Sequence, residues 1–410
     1  MKFNLKKLGV TAGLLGVMAG PMIGLAATQA GAIPPVAHPN QDLESAGSDT
    51  TYWATAAIDA AYNANTTGHT AINSDADHVG AIPPIVSAPF PTSYSTVGDA
   101  NCAATTYDSG NVPPNGSGAG ISALVADGGT GCIDYARSSR GRKGGDASNL
   151  DFWAFGLDAL GLGDFPKSAA FNPTGTYAPA KGLTQTQIIQ IYTCDPSTGA
   201  PYISDWKQIN PALAKKPGTF PIKKYAPQTS SGSYSFFNSQ ILSGGTIDAG
   251  CDSSHLSTFI EEHFASHVAP ADKPYAVFPM SYAQWIAMAH GVQADIRGGV
   301  AEMGISTDGV KYLKPSSATV NECRSACPKG HFLGTRYVYN VTIPTEPDYT
   351  DVLRLVGADN SGAGFICSGK ATSIIQKFGF RALLPATTGT TSSGTNVTLA
   401  SKCRVNPTPL

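Results

Sequence analysis

Three short segments of the sequence combine serine or threonine with glycine, and each stands directly before an apolar stretch with helical spacing. They are 47–51 (GSDTT), 115–120 (NGSGAG) and 228–233 (QTSSGS). The apolar stretches that follow are 51–63, 121–126 and 234–242, so loop and helix alternate three times. With a short buried strand expected over 132–136, this alternation predicts an α/β fold that carries binding loops at the carboxyl ends of its strands.

The composition of these loops indicates a binding chemistry. Glycine leaves backbone N–H groups accessible, hydroxyl side chains add O–H donors, and a helix N-terminus favours negative charge. Any one such loop is equally typical of an ordinary surface turn. Three of them, each before a helix, predict a shared site for an oxyanion.

The first 32 residues have the pattern of an export signal. Lysines at positions 2, 6 and 7 precede an apolar run over 8–27, and residues 30–32 (AGA) are typical of a cleavage site. We therefore expect the mature chain to begin near Ile33, in the periplasm or outside the cell. An uncleaved membrane anchor is the alternative, since the run is about long enough to span a bilayer. A lipid anchor at the new N-terminus is not expected, because the first cysteine is Cys102.

Charge excludes two classes of partner. Removal of the signal leaves 378 of the 410 residues, enough for two domains, and it removes three lysines and no carboxylates. The formal charge then moves from −2 to about −5. A mildly acidic chain does not attract nucleic acid or anionic membranes broadly, so an anion site must be formed by local donors.

Eight cysteines in an exported chain predict disulfides rather than metal ligands. Their order and spacing favour nearest-neighbour pairing among the 105 arrangements that eight cysteines allow. The expected pairs are Cys102–Cys132, Cys194–Cys251, Cys323–Cys327 and Cys367–Cys403. Cys323, Cys327 and His331 could instead form part of a zinc site, but a fourth ligand is not evident. We expect no metal and no cofactor.

A pair of histidines is a second metal candidate. His263 and His267 are four residues apart, which places both imidazoles on one face of a helix predicted over 256–267. The H-E-x-x-H pattern of metalloproteases is absent. We therefore interpret this face as solvated.

The loops and several further motifs resemble the phosphate-binding proteins of ATP-driven phosphate importers. The motifs are 183–192 (LTQTQIIQIY), 206–209 (WKQI), the Gln-x-x-Ser-Gly-Ser of the third loop, 276–282 (AVFPMSY) and 378–385 (FGFRALLP). The similarity extends over roughly 41–385. It implies a non-enzymatic, monomeric receptor that captures inorganic phosphate, or another tetrahedral oxyanion, for uptake through an ABC permease or for scavenging.

The resemblance also implies a fold. It is the two-lobed periplasmic-binding-protein-like fold of type II, an α/β fold in which the chain crosses twice between lobes and the anion lies in the cleft. On this sequence, lobe one would hold 33–154 and 336–410, and lobe two would hold 155–335.

The resemblance places ligand contacts on each loop, with two departures from the family pattern. The position of a common aspartate holds Ser139, and the position of a common arginine holds Pro227. Arg137 or Arg140 could replace the missing arginine, since a guanidinium fits two oxyanion oxygens wherever it is attached. The expected phosphate-binding set is Asp49, Thr50, Gly116, Ser117, Gly118, Arg137, Ser138, Ser139, Arg140, Ser231, Gly232 and Ser233.

The missing aspartate bears on specificity. Phosphate at neutral pH carries a proton that needs an acceptor, whereas sulfate carries none, so one carboxylate at the ligand separates the two anions. Asp49 or Asp134 could supply it, although Asp49 is equally consistent with an ordinary helix N-cap. Phosphate, sulfate and arsenate therefore stay open at this point.

Two other classes of function are consistent with the sequence. An exported phosphoesterase or other hydrolase could use a loop serine as nucleophile, but no histidine or carboxylate cluster adjoins Ser117 or Ser231 in sequence. A surface protein that has lost ligand binding is the other alternative. The substitutions at Ser139 and Pro227 favour it.

Overall fold

The computed structural model describes residues 42–64, 73–75, 114–129, 133–260, 263–323, 327–346, 348–359, 362–384, 388–399 and 402–408. Its strands are β1 (Asp42–Gly47), β2 (Asn73–Asp75), β3 (Tyr135–Ser138), β4 (Asp151–Asp164), β5 (Leu183–Thr184), β6 (Lys223–Pro227), β7 (Thr258–Ile260), β8 (Ala276–Ser281), β9 (Ala301–Met303), β10 (Ile305–Ser306), β11 (Thr335–Thr342), β12 (Ala358–Asp359), β13 (Gly362–Ala363), β14 (Thr388–Thr390), β15 (Asn396–Thr398) and β16 (Arg404–Val405). Its α-helices are α1 (Asp49–Asn63), α2 (Ser117–Asp127), α3 (Gln185–Tyr192), α4 (Gly232–Phe236), α5 (Tyr282–Ala289), α6 (Tyr349–Val356) and α7 (Thr372–Lys377). The predicted export signal and the pair Cys102–Cys132 lie outside the described residues.

Helices and a mixed sheet alternate along the chain, which confirms the predicted α/β class. Ten strands of the described residues form one sheet in the order β2-β1-β3-β11-β4-β8-β6-β7, and β9 and β16 also pair with β4. Neighbours β1 and β3 are parallel, as are β6 and β8, whereas β11 and β4 run antiparallel to their partners. Parallel groups of strands thus flank an antiparallel centre.

The long strand β4 joins the two ends of this sheet. Its residues 151–159 pair with β11, and residues 160–163 pair with β8. Nearly every residue of β4 is buried, as expected for a central strand covered on both faces. Strands β4 and β11 include the predicted crossing points at 154/155 and 335/336, and the division into lobes at those points stays a prediction.

The core lies on both faces of the sheet because side chains alternate along a strand. Phe152 and Ala154 belong to one apolar cluster, which also contains side chains of α2 and α3. Trp153 and Phe155 belong to a second cluster, which contains side chains of α1, α6 and α7. The first cluster includes Ala46 of β1 and Ala136 of β3, and the second includes Leu43 of β1 and Tyr135 of β3. The two strands are thus packed against helices on both faces of the sheet.

Local sequence explains where the helices begin and end. The predicted helix over 51–63 is observed as α1, and α2 extends the predicted 121–126 stretch in both directions. Gly128 ends α2 in the left-handed conformation that glycine adopts at low cost. Thr184 and Gln187 form a reciprocal capping box at the start of α3.

Two regions differ from the sequence prediction. The described residues of 256–267, which are 256–260 and 263–267, are not α-helical. They contain β7 and a short 3₁₀ turn, Ala265–His267, and His263 is buried while His267 is exposed. The solvated helical face that we predicted for the two histidines is therefore wrong, because tertiary pairing of β7 with β6 overrides the helical spacing. The helix predicted over 234–242 is observed as α4 followed by a π-helical turn, Phe237–Ile241.

Three of the four predicted disulfides lie in the described residues and are confirmed. They are Cys194–Cys251, Cys323–Cys327 and Cys367–Cys403. The alternative assignment of Cys323 and Cys327 as metal ligands does not describe this oxidised state.

Candidate functional site

The three predicted loops meet through backbone hydrogen bonds. The N–H of Gly116 donates to the carbonyl of Gly47 at 3.1 Å, which joins the first and second loops. The N–H of Gly118 donates to the carbonyl of Ser230 at 3.0 Å, which joins the second and third loops. Gly116 has a φ of +94°, and a Cβ built on it would lie 2.6 Å from the Ser230 oxygen, so only glycine permits this approach.

The hydroxyls of Ser117 and Ser139 and the backbone of Gly232 lie against one another where the loops meet. We call this contact the serine centre. Ser139 N–H donates to Ser117 Oγ at 2.8 Å, and the two Oγ atoms are 3.3 Å apart. A Cβ on Gly232 would clash with both hydroxyl oxygens and would lie 3.0 Å from the Cβ of Ser117. Ser117, Ser139 and Ser233 are fully buried, so these groups converge in a place shielded from solvent.

Ser231, the fourth serine of the site, also has a local role. It is the N-cap residue of α4, where its Oγ accepts hydrogen bonds from the N–H groups of Ser233 at 2.9 Å and Tyr234 at 3.1 Å. The cap fixes the third loop in the position that brings Gly232 against Ser117.

A buried ion pair that sequence reasoning missed lies beside the third loop. Arg336 on β11 faces Asp158 on β4 in the strand register, with Nη2 at 2.8 Å and Nε at 3.1 Å from Asp158 Oδ2. Arg336 Nη1 donates to Ser233 Oγ at 2.7 Å. The side chains of the pair are 2% and 0% exposed. These bonds use three of the five N–H donors of a guanidinium.

The second carboxylate oxygen of Asp158 is also hydrogen-bonded, which fixes the orientation of the side chain. Its Oδ1 accepts from Ser281 Oγ at 3.0 Å and from the N–H of Ala283 at 2.9 Å, at the start of α5. The sequence signal was present: Asp158 is the one charged residue in the apolar run 152–163, and a charge in a buried strand needs a cation as partner.

The two arginines proposed from sequence have other contacts. Arg137 is buried, and its Nη1 donates to the carbonyl of Ser45 at 2.8 Å while its Nε donates to that of Ser48 at 3.3 Å. These bonds support the first loop from the neighbouring strand β3. Arg140 forms a two-pronged pair with Asp146, at 2.7 and 2.9 Å. Their assignment as ligand contacts stays a prediction that these bonds do not favour.

Ser138 closes a turn instead of facing the serine centre. Its Oγ donates to the carbonyl of Arg140 at 2.7 Å and accepts from the N–H of Arg140 at 3.2 Å. These bonds shape the chain directly after β3 and thereby position Ser139.

Asp49 and Thr50 lie buried at the start of α1. Ser48 occupies the N-cap position, so the alternative interpretation of Asp49 as an N-cap is wrong. Asp49 Oδ1 accepts from the N–H of Thr50 at 2.8 Å, and Oδ2 is 3.5 Å from Nδ1 of His263. The carbonyl of Thr50 accepts from the side-chain amide of Gln284. A carboxylate and an imidazole thus lie together at the first loop.

Asp134, the other carboxylate considered from sequence, has a different environment. It accepts a hydrogen bond from the N–H of Glu44 at 2.7 Å. Burial raises the pKa of Asp134 well above its usual range, and the charges of Asp348 and Glu346 act in the same direction. This position lies among acidic groups, which disfavours a nearby anion.

A hollow of about 480 Å³ opens beside the second and third loops. Its lining includes Gly118, Ser231, Arg140, Lys143 and Asp146. Residues 143–146 of the loop that we predicted over 141–149 also line it, as do residues 118–119 of the second loop and 229–231 of the third. Its lining residues Gly118 and Ser231 adjoin Ser117 and Gly232 in the chain.

Within the part of the chain that the structure describes, none of the helices combines the length and hydrophobicity needed to traverse a bilayer.

Comparison with known proteins gives one relative by sequence. No family model matches the chain. The phosphate-binding protein PstS of Staphylococcus saprophyticus is 26% identical over 135 residues, which is 33% of this chain and 37% of that relative. The chain thus matches little more than a third of the relative's length. This relative is of the kind that the motifs resemble.

Comparison with solved structures finds proteins described as phosphate-binding, at low sequence identity. A putative phosphate ABC transporter substrate-binding protein from Clostridium perfringens, with bound phosphate, is 16% identical at a TM-score of 0.48, covering 83% of this chain and 99% of that one. An ABC-type phosphate transport receptor from Vibrio cholerae is 16% identical at a TM-score of 0.47, with the same coverage.

Proposed function

We propose that the chain is an exported, non-enzymatic receptor that captures inorganic phosphate at the junction of its three serine- and glycine-rich loops. The observation that carries the proposal is the contact of Ser117, Ser139 and Gly232 in a buried centre. Loops from distant parts of the sequence meet there, and each brings hydroxyl or N–H donors. Such donors fit the oxygens of a tetrahedral anion.

A buried dianion also needs a cation. Burying such an ion costs several kcal/mol even after relaxation, so hydrogen bonds to neutral groups are insufficient alone. Arg336 is the cation we propose for this role, in place of the arginine that the family pattern has at Pro227. It already contacts Ser233 of the third loop, and two of its N–H donors are not used by the bonds to Asp158 and Ser233.

Selectivity for phosphate over sulfate needs an acceptor for the phosphate proton. We propose that Asp49 supplies it, with His263 at 3.5 Å holding the carboxylate in position. An acceptor facing sulfate would meet no proton and would repel the anion.

Delivery to an ABC permease, closure of two lobes around the anion and cleavage of the export signal are parts of the same proposal. They follow from the motif resemblance. Micromolar or tighter binding, about −8 kcal/mol or better, is the affinity expected of such a receptor.

Calorimetric titration with phosphate, sulfate and arsenate tests the proposal. Phosphate should bind with a stoichiometry of one, and Ser117→Ala should weaken binding by about 1.5–3 kcal/mol through loss of a charge-assisted donor. Ser253→Ala, at an exposed serine, is the matched control. No heat and no melting shift at millimolar phosphate would remove the receptor function, and turnover of a chromogenic phosphate ester would favour the hydrolase alternative.

A further inference from the structure

Two cysteines and a histidine lie together before β11, outside the contacts described for the three loops. Cys323 and Cys327 are joined by a disulfide, and Cys323 Sγ is 3.4 Å from Nδ1 and 3.5 Å from Nε2 of His331. One ligand atom from each of the three side chains lies within 4.8 Å of the other two. The proposed phosphate site makes no use of this cluster.

This disulfide is more accessible than the other two described. Cys327 is exposed, and Cys323 and Cys251 are half-buried, whereas Cys194, Cys367 and Cys403 are buried. Only the Cys323–Cys327 bond therefore has an exposed partner among the described disulfides. Exchange requires that a thiolate reach a sulfur atom, so an external thiol should attack this disulfide first.

Opening the disulfide should also leave the fold intact. The bond joins residues only four positions apart, whereas the other two span 57 and 36 residues. A short closed loop constrains the unfolded chain least, so its loss costs the least stability.

We propose that reduction of the Cys323–Cys327 disulfide by an external dithiol creates a binding site for one zinc-like divalent ion, held by both sulfurs and His331. The dithiol gives two electrons and two protons and becomes a cyclic disulfide, while the S–S bond is replaced by two S–H groups. The ion then binds the two thiolates and releases both thiol protons to solvent. The metal site can therefore form only after the disulfide has been reduced.

The geometry suits such an ion. Zinc–sulfur bonds of about 2.3 Å and zinc–nitrogen bonds of about 2.0–2.1 Å place tetrahedral ligand atoms roughly 3.5–3.8 Å apart. The three ligand atoms already lie within 4.8 Å of one another. Side-chain rotation after reduction is therefore enough to assemble the site.

The histidine has the properties of a metal ligand. His331 is half-buried, and both of its ring nitrogens lie within 3.5 Å of Cys323 Sγ. Glu322 is paired with Arg404 at 2.7 Å, and the exposure of Cys327 leaves the fourth position to water.

The first experiment tests selective reduction in the full exported chain. The protein is treated with limiting dithiothreitol, alkylated with N-ethylmaleimide and digested for mass spectrometry. We expect the label on Cys323 and Cys327 before it appears on Cys194, Cys251, Cys367 or Cys403. Earlier labelling of any of these four would overturn the proposal.

The second experiment measures metal uptake after the reductant has been removed under argon. Titration with Co²⁺ should produce thiolate charge-transfer absorption with one ion per chain, and Zn²⁺ should displace the Co²⁺. His331→Ala should weaken Zn²⁺ binding at least about 10-fold. His290→Ala, at an exposed histidine, should have no effect. The double variant Cys323→Ser/Cys327→Ser should take up none at this site.

Three outcomes of the second experiment would also overturn the proposal. They are equal uptake by the oxidised protein, no uptake by a protein shown to carry the two free thiols, and wild-type affinity in His331→Ala. Melting of each oxidised variant confirms that it is folded, and His331→Asn replaces His331→Ala if that variant is not. Phosphate titration of the same samples tests the receptor function separately.

Discussion

Replacement of Arg336 by methionine separates the structural role of this arginine from its proposed role toward the anion. Methionine retains much of the side-chain volume but removes the guanidinium that contacts Asp158 and Ser233. We expect two losses, one in the free energy of unfolding and one in phosphate affinity. The double variant Arg336→Met/Asp158→Leu should recover most of the first loss and none of the second.

The magnitudes follow from burial. Removing one partner of a buried ion pair typically costs about 3–5 kcal/mol, because the remaining charge has no counterion. The side chain of Asp158 is 0% exposed, so the upper part of this range is expected in Arg336→Met. Removing both charges leaves no buried ion, so the double variant should recover most of this loss. The N–H of Ala283 then lacks its acceptor, which should leave the double variant about 1–3 kcal/mol less stable than the wild type. Loss of a charged donor to phosphate should weaken binding by about 1.5–3 kcal/mol, or roughly 10- to 150-fold.

Urea unfolding measures the first quantity and calorimetry the second. Arg354→Met is the matched control, since Arg354 pairs with Asp351 at the surface, where such pairs contribute about 1 kcal/mol or less. Its phosphate affinity should equal that of the wild type. Undiminished phosphate affinity in the stable double variant would refute the assignment of Arg336 as the cation of the site.

Three further predictions concern single positions. Gly232→Ala should abolish detectable phosphate binding, because its Cβ would overlap the hydroxyls of Ser117 and Ser139, and a calorimetric titration that matched wild type would contradict the packing described. Asp49→Asn should narrow the ratio of phosphate to sulfate affinity in competition titrations, whereas equal loss for both anions would mark Asp49 as structural. Burial raises the pKa of Glu302 to about 8, so the protonated form is favoured in the folded state and stability should fall as pH rises from about 4.5 to 8. Glu302→Gln should remove that part of the pH dependence, and unfolding curves with unchanged pH dependence would count against it.

Local patterns in the sequence were enough to predict the loops and their helices. Short-range signals determine these features, since hydroxyl and glycine residues stand before an apolar stretch with helical spacing. The three described disulfides were predictable for a similar reason, since their partners are neighbours in cysteine order.

Long-range pairing was not predictable in the same way. Arg336 and Asp158 are 178 residues apart, and only the register of β11 on β4 brings them opposite each other. His263 reaches Asp49 because its segment pairs as strand and turn and does not form the helix that its spacing favoured. A charged residue in an apolar strand predicts an oppositely charged partner, but the fold topology determines which residue that partner is.

The position of β11 has a consequence for synthesis of the chain. This strand lies between β3 and β4, yet it is made long after both. Until residue 342 has left the ribosome, β3 and β4 each have an unpaired edge with unsatisfied amide and carbonyl groups. Such edges can pair with strands of other molecules and so promote aggregation. Truncation anywhere before Thr335 would make that transient hazard permanent, so nascent chains of this protein need protection until the last fifth of the sequence arrives.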